Sequence, residues 1–329
     1  MKRILITGGA GFIGYHLAIS LLKYNYQIDL LDNYARGVRD IHLDKLGVED
    51  RINFINADLL DSRLIDKVES DYSYIYHLAA VIGVQHVLKS PYSVLNKNHL
   101  MLQNTLNIAN NQKNLERFVF TSTSEIYAGT LQHYGLEFPT PELTPITITD
   151  LTEPRTSYML SKIYGECMCL HSELPVTIVR PHNFYGPRMG LSHVIPELMK
   201  KCVDSKTGTL SVFSINHKRT FCYISDAVEM IRLLAESDLS IGNAFNIGND
   251  DEEISMGDLA KKIIKVTKKD LEIKPLPSTA GSPDRRCPSL NKLKGKINYF
   301  KKYSLDMGLE ETYNWYSCNV FHGKGISAL

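Results

Sequence analysis

The chain has 329 residues, 43% of them hydrophobic and 22% charged, and a formal net charge of +1. That length holds one large domain or two ordinary ones, each with a real core, and the charge balance excludes a global field that would draw the chain onto nucleic acid or an acidic membrane. No apolar run reaches the ~20 residues of a membrane span. Nothing at the start resembles a signal peptide, and Cys167, Cys169, Cys202, Cys222, Cys287 and Cys318 show neither zinc spacing nor a disulfide framework. A protein of the reducing cytoplasm without a metal site is expected.

Short apolar runs alternate with helical patterns through the first half. KRILIT (2–7) reads as a strand, FIGYHLAISLLKY (12–24) as a helix, and YQIDLLD (26–32) as a second strand. INFINAD (52–58), YSYIYHLAA (72–80), LERFVFTS (115–122) and PVTIVRP (175–181) continue the series, with a helix over 156–173 before the last. Strands apolar on both faces and joined by helices predict a parallel sheet covered on both sides. Beyond it, helices near 194–204, 226–237 and 255–267 and strands near 209–213 and 244–248 are shorter, and the last sixty residues are Lys-rich and irregular. The expected architecture is α/β: a doubly wound, Rossmann-like parallel sheet with a smaller C-terminal α/β substrate domain. Residues 1–180 form the cofactor domain, residues 181–329 the second, and segments near 214–248 return to the first.

The first motif is ITGGAGFIGYHLA: strand, then Gly8, Gly11 and Gly14, then helix. Glycines let the backbone turn tightly and approach a pyrophosphate seated at the helix N-terminus. Asp32 ends the next strand, where an acidic residue hydrogen-bonds the adenosine ribose. It favours NAD over NADP by repelling a 2′-phosphate, while nearby Arg36 could accept one. The second motif is SYMLSKIYGE, with Tyr158 and Lys162 one helical turn apart. An ammonium beside a phenol stabilises its phenolate, which can then take a proton from a sugar hydroxyl. The third is TSTSEIYAG (121–129), four hydroxyls and a carboxylate at a strand end, a pattern that also serves as a helix N-cap.

These motifs, in this order, resemble the extended short-chain dehydrogenase/reductase family, the NAD-dependent nucleotide-sugar epimerases and dehydratases. TGGAGFIG is similar to its dinucleotide loop, which implies cofactor contacts from Phe12 and Ile13 beside the glycines. LDNYARG resembles its ribose-binding turn, and HLAA its nicotinamide-side strand end. The resemblance adds Asn33, Asp58, Leu59, Leu78, Ala79, Ala80, Asn98 and His182 to the cofactor site, together with Tyr158 and Lys162. His182 either lines the nicotinamide pocket or packs there.

The resemblance further implies a catalytic Thr123–Tyr158–Lys162 constellation, with Thr123 bonding the sugar oxygen being oxidised. Ser124, Asn183 in RPHNFYGPR, Arg219 in KRTFCYISD and Arg286 in SPDRRCPS are implied as substrate contacts. Arg285 and Arg286 also read as two solvated surface arginines. The chain departs from the family at Ala128, Thr220 and a Pro- and Thr-rich insertion over 136–155, read as a substrate-side loop.

The expected activity is oxidation of sugar C4 to a 4-keto intermediate, followed by epimerisation or elimination. A UDP-glucuronate-type decarboxylase and a non-catalytic NAD-sensing module are the alternatives. Glu125 either acts at C5 after oxidation or accepts backbone N–H groups. By resemblance, helices near 96–111 and 156–173 form a homodimer interface.

Overall fold

The computed structural model describes residues 1–279 and 283–321, so residues 280–282 and 322–329 of the expected second domain lie outside it, with Ser282 of the SPDRRCPS motif among them. Seven strands form the main sheet: β1 (Lys2–Thr7), β2 (Tyr26–Asp32), β3 (Ile52–Asn56), β4 (Tyr72–His77), β5 (Arg117–Thr121), β6 (Val176–Pro181) and β7 (Asn243–Ile247). Their order is β7-β6-β5-β4-β1-β2-β3 and every pairing is parallel. The switch from rising to falling order beside β1 opens the crevice where ligands of such sheets bind.

The apolar runs of the strands are explained by two cores. Ile4, Ile6, Val119, Val179 and Phe245 face one layer of helices. Leu5, Ile75, Phe118, Phe120 and Ile178 face the other, so alternate residues are buried on opposite faces. The first layer includes α1 (Phe12–Leu21), and the second packs α2 (Pro91–Asn110) against α3 (Pro154–Leu170).

From Pro181 the chain leaves the sheet. Short parallel and antiparallel strands follow, Lys218–Arg219 lying between Ile254–Ser255 and Arg285–Arg286. Helix α4 (Ile224–Glu236) and β7 then return to the main sheet, α4 packing against α1.

Three readings shift. The helix expected to run to 24 ends at Leu21, and the strand expected to run to 80 ends at His77, leaving Leu78–Ala80 as backbone loop. The C-terminal sixty residues, read as irregular, contain a strand (Glu272–Leu276) and a helix (Leu305–Tyr316). Ser304 caps that helix through the Met307 amide, and Leu305, Leu309, Thr312 and Tyr316 bury one face. Among the described residues, no helix is long and apolar enough to cross a membrane.

Candidate active site

The dinucleotide loop is shaped by what its glycines exclude. Gly8 has φ of +69°, and a Cβ there would lie 2.9 Å from the Ala79 backbone nitrogen. A Cβ on Gly14 would lie 2.5 Å from the Gly8 carbonyl oxygen. Gly11 caps α1 with no side-chain hydrogen bond, so the first-turn amides, including those of Phe12 and Ile13, stay open to an anion.

Asp32 accepts hydrogen bonds from the Ala10 amide at 3.0 Å and the Tyr34 amide at 2.8 Å. Burial, only partly offset by these bonds, raises its pKa. Asn33 donates to Asp58 at 3.1 Å, and Asp58 accepts the Leu60 amide, which fixes the rim where Leu59 is buried. The Leu78 amide reaches the Thr7 carbonyl at 3.2 Å, setting the Leu78–Ala80 loop against β1. A cradle that rejects side chains, uncapped amides and a carboxylate at the end of β2 together fit a dinucleotide.

Asn98 serves this site indirectly. Its Oδ1 accepts the Val81 amide at 2.7 Å, and its Nδ2 donates to the Val81 carbonyl and the Ser161 hydroxyl. It ties α2, the loop after β4 and α3 together beside the expected cofactor site.

The substrate side reaches into the cofactor loops at one point. Arg188, in the left-handed region at φ +67°, pairs with Asp40 at 2.7 Å, with both side chains 2% exposed. The same guanidinium donates to the carbonyls of Val38 at 2.9 Å and Ala10 at 3.3 Å. One buried pair thus binds the RPHNFYGPR segment to both cofactor loops.

Thr123 and Tyr158 come together. Thr123 heads a short turn over Ser124–Tyr127, its hydroxyl accepting the Glu125 amide at 3.2 Å, and the Tyr158 phenol bonds the Thr123 side chain. The capping reading therefore holds for Thr123, and the same side chain also meets the Tyr158 phenol. Burial and then the Glu125 carboxylate raise the Tyr158 pKa; Thr123 and Arg36 oppose them.

Lys162 departs from expectation. Its ammonium donates to the Thr121 carbonyl at 2.7 Å and lies 5.0 Å over the Phe120 ring, not on the phenol. Burial lowers its pKa to about 8. Arg36 also acts electrostatically on Tyr158, favouring its phenolate.

Beyond the phenol the charges are arginines. Arg155 stands three residues before Tyr158 on α3 and donates to Glu125 at 3.1 Å. Arg286 interacts electrostatically with both Glu125 and Arg155, and burial lowers its pKa. Arg285 turns away, to Glu253 at 2.7 Å and over the Phe138 ring. Arg286 stands opposite Arg219 in the small sheet. Burial and Arg286 bring Arg219 down to about 10.

Arg219 and Asn183 line a cavity of about 290 Å³ with Phe213, Glu197, Lys201 and His217. Asn183, at φ +44°, donates to the Thr220 carbonyl at 2.9 Å. His182 is 2% exposed, its Nε2 3.2 Å from Asn246 Oδ1, and burial drops its pKa to about 3. It packs at the end of β6 as a neutral ring. Ser124 is buried at the start of the turn.

Sequence reasoning missed Arg155, although its place one turn before Tyr158 on the same helix was a usable signal. It also missed Glu142, Phe213 and His217, whose positions depend on long-range contacts. The Ala128 departure is explained next door. A Cβ on Gly129 would lie 1.8 Å from the Thr147 carbonyl oxygen, so the position closed to side chains is 129, not 128.

The family model "NAD dependent epimerase/dehydratase family" matches residues 4–248. A UDP-N-acetyl-alpha-D-glucosaminuronate decarboxylase of Bacillus cytotoxicus is 32% identical, over 96% of this chain and 98% of its own length. UDP-glucuronic acid decarboxylase 1 of Arabidopsis thaliana is 30% identical, over 98% of this chain and 72% of its own. Among solved structures, UDP-glucuronic acid 4-epimerase from Bacillus cereus, in complex with UDP-glucuronic acid and NAD, superposes with a TM-score of 0.80 at 27% identity, covering 95% of this chain and 98% of that one.

Proposed function

Because this chain belongs to the NAD dependent epimerase/dehydratase family, and so is an NAD-dependent enzyme of nucleotide-sugar chemistry, we propose that it decarboxylates a nucleotide-linked hexuronate. The observation that carries this reading is the charge arrangement beyond Tyr158. Arg155 pairs with Glu125, and Arg286 lies within electrostatic range of both, so two guanidiniums face one carboxylate and a net positive charge is left for a substrate group. A neutral hexose gives that charge no partner, whereas a C6 carboxylate does. Arg219 and Asn183 lie on the same path and suit the diphosphate, with the exposed Phe213 ring as a platform for the base. The decarboxylase relatives support the same substrate class.

The cofactor would be held by the open amides after Gly11, by Asp32 and by the Leu78–Ala80 loop, and when bound supplies reversible two-electron oxidation at C4. Thr123 holds the C4 hydroxyl against Tyr158, and Arg36 favours the phenolate form of Tyr158 that takes the hydroxyl proton and becomes the neutral phenol. A C4 ketone makes the sugar a β-keto acid. The C5–C6 bond then breaks, its electron pair moves onto the C4 oxygen as an enolate, and CO2 leaves. Arg286 holds the carboxylate until that step, and Arg155 holds Glu125. Protonation at C5 restores the ketone, and Tyr158 returns its proton when C4 is reduced.

We also assign residues 1–180 with segments near 214–248 to the cofactor lobe, and the remainder to the substrate lobe. A homodimer is supported by α2 and α3, whose packed pair leaves Tyr92, Leu95 and Tyr164 exposed. Six free thiols suit a reducing cytoplasm.

The test is incubation with NAD and UDP-glucuronate, UDP-N-acetylglucosaminuronate or UDP-glucose, with product masses measured. Loss of CO2 from a uronate, and no turnover of UDP-glucose, is expected. A uronate product of unchanged mass inverted at C4 would overturn decarboxylation in favour of 4-epimerisation.

A further inference from the structure

Apart from Arg155 at its end, the insertion over 136–155 has no role in the chemistry above, yet it is bonded at two places to segments that have one. At its start, the Thr140 amide donates to the Cys287 carbonyl at 2.8 Å, and the Ser289 amide donates to the Thr140 carbonyl at 2.8 Å. These bonds grip the chain directly after Arg286. Further on, the Thr147 amide donates to the Thr130 hydroxyl at 3.1 Å, and the Thr147 carbonyl fills the space over Gly129. Those bonds grip the helix that follows the Glu125 turn.

Between the two grips, Glu142 is anchored to the main sheet. Its carboxylate accepts the Asn246 amide at 2.9 Å, and its carbonyl accepts from Arg180 at 3.1 Å. Asn246 is fully buried, and its side chain donates to the Thr140 carbonyl at 3.0 Å while accepting from the Tyr127 hydroxyl at 3.0 Å. Tyr127 lies two residues after Glu125. The sheet, the Glu125 turn and the Arg286 strand are thereby tied through one short segment.

We infer that residues 139–149 are a brace that sets the spacing between Glu125 and Arg286, with Glu142 as its positioning residue. The inference rests on the reading above for the carboxylate that Arg286 meets. Thr123 directly follows β5 and Tyr158 lies within α3, whereas Glu125 and Arg286 sit on the segments that the brace grips, so the brace acts more on the steps after C4 oxidation than on the oxidation itself. A buried amide left without its acceptor costs more than the bond it made, and a displacement of about 1 Å at a reacting group can cost around 10²-fold in rate.

The test follows the NAD-loaded enzyme with UDP-glucuronate in stopped flow, where NADH absorbance rises with C4 oxidation and decays as the later steps finish. Glu142→Ala is expected to leave the rise within about 3-fold of wild type and slow the decay at least about 10-fold. Glu142→Gln keeps an acceptor for the Asn246 amide and is expected to recover most of the decay rate. Equal slowing of both phases, or of neither, would overturn the brace.

Hydrogen exchange on the wild-type protein gives a readout that needs neither turnover nor a folded variant. The Thr140 and Ser289 amides are expected to exchange as slowly as those of β7, and exchange at the rate of an exposed loop would also overturn the inference. A wild-type enzyme that shows both NADH phases without releasing CO2 would refute the decarboxylase reading and leave the brace standing.

Discussion

The cofactor lobe and the substrate lobe build their sites by different means. In the cofactor lobe as assigned above, the ligand would meet backbone: amides after Gly11, the loop after His77, and the tight turn at Gly8, all at ends of parallel strands. On the substrate side of the crevice, in the reading proposed above, the ligand would meet long charged side chains, Arg155, Arg219 and Arg286, carried by a helix turn and two-residue strands from both lobes. A site made of backbone is stable to most substitutions, because only the glycines and Asp32 are fixed. A site made of guanidiniums changes specificity with a single residue.

The contrast predicts separable losses. Tyr158→Phe stands between the lobes and gives the largest effect: turnover falls by about 10²–10⁴, while calorimetric NAD affinity stays unchanged. A comparable loss of NAD binding would merge the two sites that the comparison separates.

Arg286→Ala comes next. Losing a charge-assisted bond of about 1.5–3 kcal/mol lowers kcat/KM for the uronate by roughly 10- to 100-fold. NAD affinity is expected to hold. If it falls in parallel, the side-chain site does not stand apart from the backbone one.

Glu125→Gln sharpens the substrate half. The first NADH rise is expected to survive and product formation to stop, because the carboxylate partners Arg155 and Arg286 and does not touch the oxidised carbon. Normal product formation would return Glu125 to a structural role. On the cofactor side, Asp32→Asn is expected to weaken NAD by about tenfold and narrow its advantage over NADP, and unchanged selectivity in titration calorimetry would remove Asp32 from ribose recognition.

The smallest effect is on stability and touches both lobes. Burial holds His77, within the sheet, and His182, at the exit to the substrate lobe, near a pKa of about 3. Their unfolded value is about 6.5, so below it the unfolded chain binds protons that the folded chain refuses. The stability they contribute is complete above pH 6.5 and is lost as pH falls toward 3. A drop in Tm of roughly 5–10 °C between pH 7 and pH 5 is expected, and a constant Tm across that interval would contradict it.

The same contrast explains what the sequence made legible. Gly8, Gly14 and Asp32 sit in patterns whose meaning is local, because a strand, a tight turn and a helix follow within a few residues. Tyr158 and Lys162 were visible as one helical turn, but the partner of the ammonium was not, since the Thr121 carbonyl comes from another strand. The resemblance already favoured Arg286 over Arg285, and the pairing of Arg285 with Glu253 gives that choice a physical reason. Glu142 carried no signal at all: its partner, the amide of Asn246, is 104 residues away in sequence.

The return of β7 to pair with β6 also decides how the molecule can be divided. The polypeptide leaves the main sheet after Pro181 and rejoins it at Asn243, so the lobes are interleaved along the gene. A fragment ending at residue 180 would carry β6 as a bare edge, with a row of unpaired amides and carbonyls open to other chains. Lobe exchange with a relative would therefore need two junctions, one on each side of the excursion, and a single splice at the apparent boundary would yield a sticky half rather than a module.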